Sequence, residues 1–207
     1  MTEFNVQKPI MIDLPLPIET DRLFLREPRS NDGDALHEAK METWDMLHRW
    51  MPWAKERGTV ADDELVCREA HIKFLQRTDL MMFAFEKATN RFVGGTSLHR
   101  FDWETRIIEI GYWFRKSVQG QGYATESTKA LIRYAFDVLD ANKIVIMHAE
   151  GNDRSRRVIE KCGFAYEFTA LKDTCLPNGE FVDHPHYSLF NADHLKEVNV
   201  RWGGLAP

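Results

Sequence analysis

The residues with the clearest chemical potential lie between Gln119 and Thr125, in the segment WFRKSVQGQGYATESTKALI. An extended run ends near Phe114, and a loop holding Gly120 and Gly122 opens directly into a helical pattern. At such a junction successive backbone N–H groups point at one spot, and the helix dipole adds partial positive charge there. Glycine lets the backbone approach an anion closely, and Thr125 in the first turn offers a hydroxyl donor. The run Gln119, Gly120, Gln121, Gly122, Tyr123, Ala124, Thr125 therefore reads as an anion cradle. A plain tight turn is the other reading. Two better-known phosphate loops are excluded, because the spacing is neither GxxxxGK followed by Ser or Thr nor GxGxxG.

The stretch IIEIGYWF ahead of the loop carries one acid, Glu109. Along a strand Glu109, Gly111 and Trp113 share one face, while Ile110, Tyr112 and Phe114 share the other. An acid in an otherwise apolar strand needs a partner or a purpose. Both readings stand: a proton acceptor, or an ion pair with Arg106 or Arg100. His184 and His186 have the spacing of a metal pair, but no third ligand is suitably spaced, so no metal is expected. Cys67, Cys162 and Cys175 are far apart and odd in number, which gives neither a disulfide framework nor a zinc site. Each reads as an inert buried thiol.

Several elements must position these groups. Pro9, Pro15 and Pro17 make an extended leader, Leu23 to Leu25 form a short strand, and Ser30, Asn31 and Asp32 offer caps for a first helix. Trp44, Trp50, Met51 and Trp53 cluster next; helical spacing sends most of them to the core, with Pro52 interrupting. A second helix spans residues 62–77. Three strands then follow as an antiparallel meander: LMMFAFEK, FVGGTSLHRF and RIIEIGYWF. A helix over residues 124–139, the strand KIVIMHA, and a helix capped by Asn152 and stopped at Cys162–Gly163 come next. Two final strands flank Pro177–Asn178–Gly179.

The 207 residues are 43% hydrophobic and 29% charged, which suits one soluble domain. A net charge of -5 argues against a general nucleic-acid binder. The start MTEFNVQKPIMIDLPLPIE lacks a basic region before a long apolar run, and no stretch approaches the ~18 apolar residues of a membrane span. The expected setting is cytoplasmic.

Gln119, Gly122 and Ala124 also carry a family signature. They resemble the pyrophosphate-binding motif of the GNAT acetyltransferase superfamily: Arg or Gln, two residues, Gly, one residue, then Gly or Ala. EIGYWF is similar to that family's fourth strand, and GNDRSRRVIEKCGF to its next element, N-x-x-S followed by EKxGF. From TDRLFLRE through MPWA the pattern resembles the Rim-type branch, the ribosomal-protein N-terminal acetyltransferases, over residues 19–190. The implied fold is one α/β (α+β) domain at 19–190, between a leader at 1–18 and a tail at 191–207. Its mixed, mostly antiparallel sheet would have about seven strands with helices on both faces. The family's fourth and fifth strands, here residues 107–114 and 143–149, splay apart and admit the acetyl-pantetheine arm.

The resemblance implies an enzyme that moves acetyl from acetyl-CoA to a primary amine by direct attack, with no metal. A backbone N–H among Tyr112, Trp113 and Phe114 would polarise the thioester carbonyl. Many superfamily members place a Tyr acid where this chain has Ile159, which cannot donate a proton. Ser155 is then the candidate to hydrogen-bond the leaving sulfur, and Asn152 would cap its helix and hold the pantetheine amide. Trp53 and Tyr187, with His184 and His186, are expected to face the acceptor. An α-amine of pKa ~7.8 is roughly 14% neutral at pH 7, a Lys of ~10.4 only about 0.04%. The difference, roughly 3.5 kcal/mol, is large for one carboxylate working through water, so the expected acceptor is a protein N-terminus. The alternatives are a small-molecule amine (polyamine, aminoglycoside or amino-acid derivative) and, in another class, a CoA-binding module without turnover. Monomer and homodimer both fit.

Overall fold

The computed structural model describes residues 8–204, so positions 1–7 of the expected leader and 205–207 of the tail lie outside the described residues. Three strands in sequence build the centre of the sheet: β3 (Leu80–Glu86) and β4 (Arg91–Asp102), whose apolar runs are buried on both faces, and β5 (Ile107–Phe114), which alternates. Before them come β1 (Ile18–Glu19), β2 (Leu23–Arg26), α1 (Gly33–Trp50) and α2 (Val60–Gln76). After them come α3 (Tyr123–Asp137), β6 (Lys143–Met147), α4 (Asp153–Lys161), β7 (Ala165–Cys175), β8 (Phe181–Leu189) and β9 (Arg201–Trp202).

These strands form one sheet in the order β7-β8-β6-β5-β4-β3-β2-β1-β9. Every pairing is antiparallel except β5 with β6, which α3 connects. Among the described residues the sheet thus has nine strands rather than about seven. The extra pair, β1 and β9, are two residues each and pair with one another, too short for alternation to reveal.

The faces divide as the β5 alternation predicts. Ile108, Ile110 and Phe114 join Leu131 and Ile132 of α3, Ile144 and Ile146 of β6 and Ile159 of α4 in the main core. Trp113 turns to the opposite face, where Leu36 and Ala39 of α1 pack with Phe83 and Phe92, and Trp44 packs with Leu47 and Ala54. Each fully buried aliphatic side chain stabilises the fold by about 1.5–3 kcal/mol. α1 ends at Trp50 because Pro52 cannot continue it.

The helix N-termini differ in how their first amides are capped. α2 has a full capping box between Thr59 and Asp62, and Asn152 caps α4. α3 starts from Gly122, in the left-handed region at φ 87°, with no side-chain cap. Its first amides are left for something else.

Candidate active site

β5 and β6 pair only at Ile107↔Lys143, Ile108↔Ile144 and Glu109↔Val145. β5 runs on to Phe114 and β6 to Met147 without further pairing, which is the expected splay. The direction of the β5 amides follows from its other neighbour. The Arg115 amide donates to the Val93 carbonyl at 2.9 Å, and the register continues through Gly94↔Phe114, Gly95↔Trp113 and Thr96↔Tyr112. In an antiparallel ladder bonded and non-bonded pairs alternate, so Trp113 and Gly111 spend their polar groups on β4. Tyr112 and Phe114 direct theirs into the gap. The Gln119 side-chain amide duly reaches the Phe114 carbonyl at 3.3 Å.

The loop after β5 is held from both sides. Gly120 and Gly122 take φ of 79° and 87°, which L side chains adopt only with strain. Arg22 Nη1 donates to the Gln121 carbonyl at 2.8 Å, and its guanidinium pairs with Glu126 at 2.5 Å and lies over the Tyr123 ring. Arg154 of α4 donates to Gln119 Oε1 at 2.8 Å, tying α4 to the loop. The Gln119 and Gln121 amides bond back to Lys116 and Val118 at 3.3 and 3.4 Å. Among the described residues, the amides of Gly120, Gly122, Tyr123, Ala124 and Thr125 have no protein acceptor. Unpaired donors gathered at the positive end of a helix fit a diphosphate.

Beside the gap, Ser155 sits in the first turn of α4, its amide donating to Asn152 Oδ1 at 3.3 Å. The Ser155 hydroxyl lies 3.0 Å from that of Tyr112. Burial pushes the Tyr112 phenol well above its ordinary range despite the bond to Ser155, so it remains a proton-bearing donor. Ile159, at the position of the family's Tyr acid, is completely buried in the main core.

On the opposite face, Glu109 Oε1 meets His99 Nε2 at 2.9 Å, and Arg100 Nη1 donates to Oε2 at 2.9 Å. Burial works against the charged form, but the bonds and charges of His99 and Arg100 outweigh it and hold this carboxyl below its ordinary value. The ion-pair partner is thus Arg100 and not Arg106, which pairs with Asp140 beyond the turn. His99 Nδ1 lies 3.2 Å from Ser97 Oγ, which donates to Asp79 at 2.8 Å.

Sequence reasoning missed His99, Ser97 and Asp79. Carried on unbroken, the register Asp102↔Ile107 sets Arg100 opposite Glu109; a bulge between His99 and Asp102 puts His99 there instead. The irregular HRFD run before the turn was the only signal.

Trp53 is half exposed and meets Trp113 with ring centroids 6.5 Å apart, on the Glu109 face. Tyr187 pairs with Ile146 and stacks on His148, so it belongs to the other face, on the α4 side. His184 lies near Met147 and Asp173, and His186 stacks on Phe168. Among the described residues, no three His, Cys, Asp or Glu side chains could hold a metal. No described helix is long and apolar enough to cross a membrane. Cys67 and Cys162 are buried and their thiols pushed up to about 12 by burial. Cys175 departs from the buried reading and is exposed, on the edge strand.

A mixed sheet with one parallel pair that parts beside a glycine-lined helix start defines a class: an α/β acyl-transfer fold. Residues 22–165 match the family model described as acetyltransferase (GNAT) domain, and the chain belongs to that family. It is 34% identical over 172 residues to YdaF of Bacillus subtilis (strain 168), provisionally named a ribosomal N-acetyltransferase, covering 82% of this chain and 90% of that one. It is 29% identical to the ribosomal-protein-serine acetyltransferase of Escherichia coli (strain K12), over 70% of this chain and 75% of that one. Among solved structures, RimL, a ribosomal L7/L12 α-N-protein acetyltransferase in complex with coenzyme A, shares the fold at TM-score 0.78 and 22% identity, over 84% of this chain and 96% of that one. As a family member the chain is an acetyl-CoA-dependent N-acetyltransferase.

Proposed function

We propose that this enzyme acetylates the α-amino terminus of a protein, and that the acceptor-free amides from Gly120 to Thr125 grip the diphosphate of acetyl-CoA. The arrangement of those amides beside the parted strands is the observation that carries the reading. Asn152 and the gap-facing edge of β5 hold the pantetheine arm. The Tyr112 and Phe114 amides lie where a thioester carbonyl would gather negative charge. The neutral amine attacks the carbonyl carbon, the C–S bond breaks, and the Ser155 hydroxyl hydrogen-bonds the departing sulfur. The amide nitrogen sheds its one extra proton, the coenzyme A thiolate takes up a proton in exchange, and coenzyme A leaves as thiol.

Glu109 is the anionic part of the base. A carboxyl held below its ordinary value suits an amine that is already partly neutral, such as an α-amine, better than a Lys side chain. Trp53 and Tyr187 are the proposed acceptor contacts, Trp53 on the Glu109 face and Tyr187 beyond β6. The names of the YdaF and Escherichia coli relatives point the same way. A thiol-release assay over N-terminal peptides, Lys peptides, polyamines and aminoglycosides decides it. Turnover is expected with N-terminal peptides; turnover confined to polyamines or antibiotics would refute the acceptor class.

A further inference from the structure

We propose that His99 takes the proton from the acceptor amine and that Glu109 orients it, so that the base of this site is a cross-strand histidine–carboxylate pair. The inference rests on the acetyl-transfer reading above and names the group that does its proton work.

A Cβ built on Gly111 would lie 2.7 Å from His99 Cε1, so the imidazole lies against the β5 backbone at that point. Gly111 is two residues past Glu109, the last β5 position paired with β6. His99 therefore stands where the gap begins, on the Trp113 and Trp53 face. Glu109 lies behind it, and the side chain of Glu109 is 13% exposed against 23% for His99.

An ionised carboxylate only accepts, so His99 Nε2 bears a hydrogen toward Glu109 and Nδ1 keeps a lone pair. The Ser97 hydroxyl can turn its hydrogen to Asp79, 2.8 Å away. Nδ1 is then free to take a proton and donate it to Ser97 Oγ at 3.2 Å. The imidazolium so formed is held at both nitrogens. Among the described residues, the charged or titratable groups tied to this cluster include Glu109 of β5, Arg100 of β4 and Asp79 before β3, with His184 of β8 in charge interaction with Glu109.

Driving force decides between the two candidates. Proton transfer from an α-ammonium (~7.8) to an ordinary carboxyl (~4.3) is uphill roughly 3000-fold, and to an ordinary imidazole (~6.5) only about 20-fold. Both Glu109 oxygens are already engaged. In the step, R–NH3+ gives a proton to Ser97 Oγ as the Ser97 hydrogen turns from Asp79 and passes to Nδ1, and the freed lone pair attacks the thioester carbon. The proton on His99 later returns to solvent past Ser97.

The test compares two acceptors with the wild type and His99→Gln: a peptide with a free α-amine, and the same peptide ending in an aminooxy group, neutral at pH 7. With the α-amine, His99→Gln is expected to lose about 10²–10⁴-fold in kcat/KM, as removal of a general base does. With the aminooxy peptide the loss should be slight, and KM for acetyl-CoA should not change. Imidazole should partly restore His99→Gly. Equal losses with both acceptors would mean that His99 only supports the structure, and no loss with the α-amine would leave the work to Glu109 or water; either overturns the proposal. If the wild type released thiol with neither peptide, the acetyl-transfer reading itself would fall.

Discussion

The hydroxyls of Tyr112 on β5 and Ser155 on α4 lie 3.0 Å apart, and this contact joins the elements that carry the two parted strands. Because Tyr112 stays protonated, it can donate to Ser155 Oγ while the Ser155 hydrogen turns to a departing sulfur.

Ser155→Ala should therefore lower kcat about tenfold, the worth of one hydrogen bond near 1.4 kcal/mol, since a thiol of pKa ~8.5 already leaves well. Tyr112→Phe should cost less, about threefold, by loosening Ser155. The α4 cap uses the Ser155 backbone amide, so Ala preserves it. Steady-state kinetics at saturating acetyl-CoA check both; an unchanged kcat in Ser155→Ala would reduce that hydroxyl to a bystander.

Gly122 and Gly179 offer a matched pair. Both have φ near 86–87° and neither is crowded: Arg22 Nη2 would lie 3.4 Å from a Cβ at Gly122, and nothing within 4 Å at Gly179. Replacing either with Ala should destabilise the fold by about 1–2 kcal/mol through left-handed strain. Only Gly122→Ala should also raise KM for acetyl-CoA, roughly tenfold. Thermal melts with kinetics separate the two effects, and a similar rise in Gly179→Ala would break the link to the loop.

Glu109→Gln gives a pH signature. The folded carboxyl titrates below its ordinary 4.5, so its stabilisation is complete above that value and fades as pH falls through the lower folded value. Wild type and Glu109→Gln should differ by on the order of 1–2 kcal/mol near neutrality and converge in acid. Urea melts across pH would show this. A gap that widens on acidification would contradict the carboxyl's assigned state.

Trp53→Ala should raise KM for the acceptor while costing less than about 1 kcal/mol of stability, because the ring is 52% exposed. Trp44, 8% exposed, should instead cost about 3–5 kcal/mol when cut to Ala. An acceptor KM unmoved by Trp53→Ala would remove that ring from the binding face.

The meander, the loop and the α4 cap were legible in the sequence because each is written locally, by short apolar runs between turn residues, by Gly at 120 and 122, and by Asn152. The contacts that arm the site were not. His99 meets Glu109 only because a bulge shifts β4 by one residue, and no composition signal marks a bulge. Arg22 and Arg154 reach the loop from 99 and 35 residues away, distances across which periodicity says nothing. Tyr187 faces away from Trp53 because its register to Ile146 sets its side, and that register is tertiary.

The gripping of a diphosphate by the loop is tested most directly by amide NMR of the whole chain titrated with coenzyme A. The Gly120, Gly122, Tyr123, Ala124 and Thr125 amides should shift strongly and exchange more slowly, while those of Gln119 and Gln121, already bonded within the loop, should move less. Coenzyme A binding that left those five amides unchanged, or no binding at all, would contradict it.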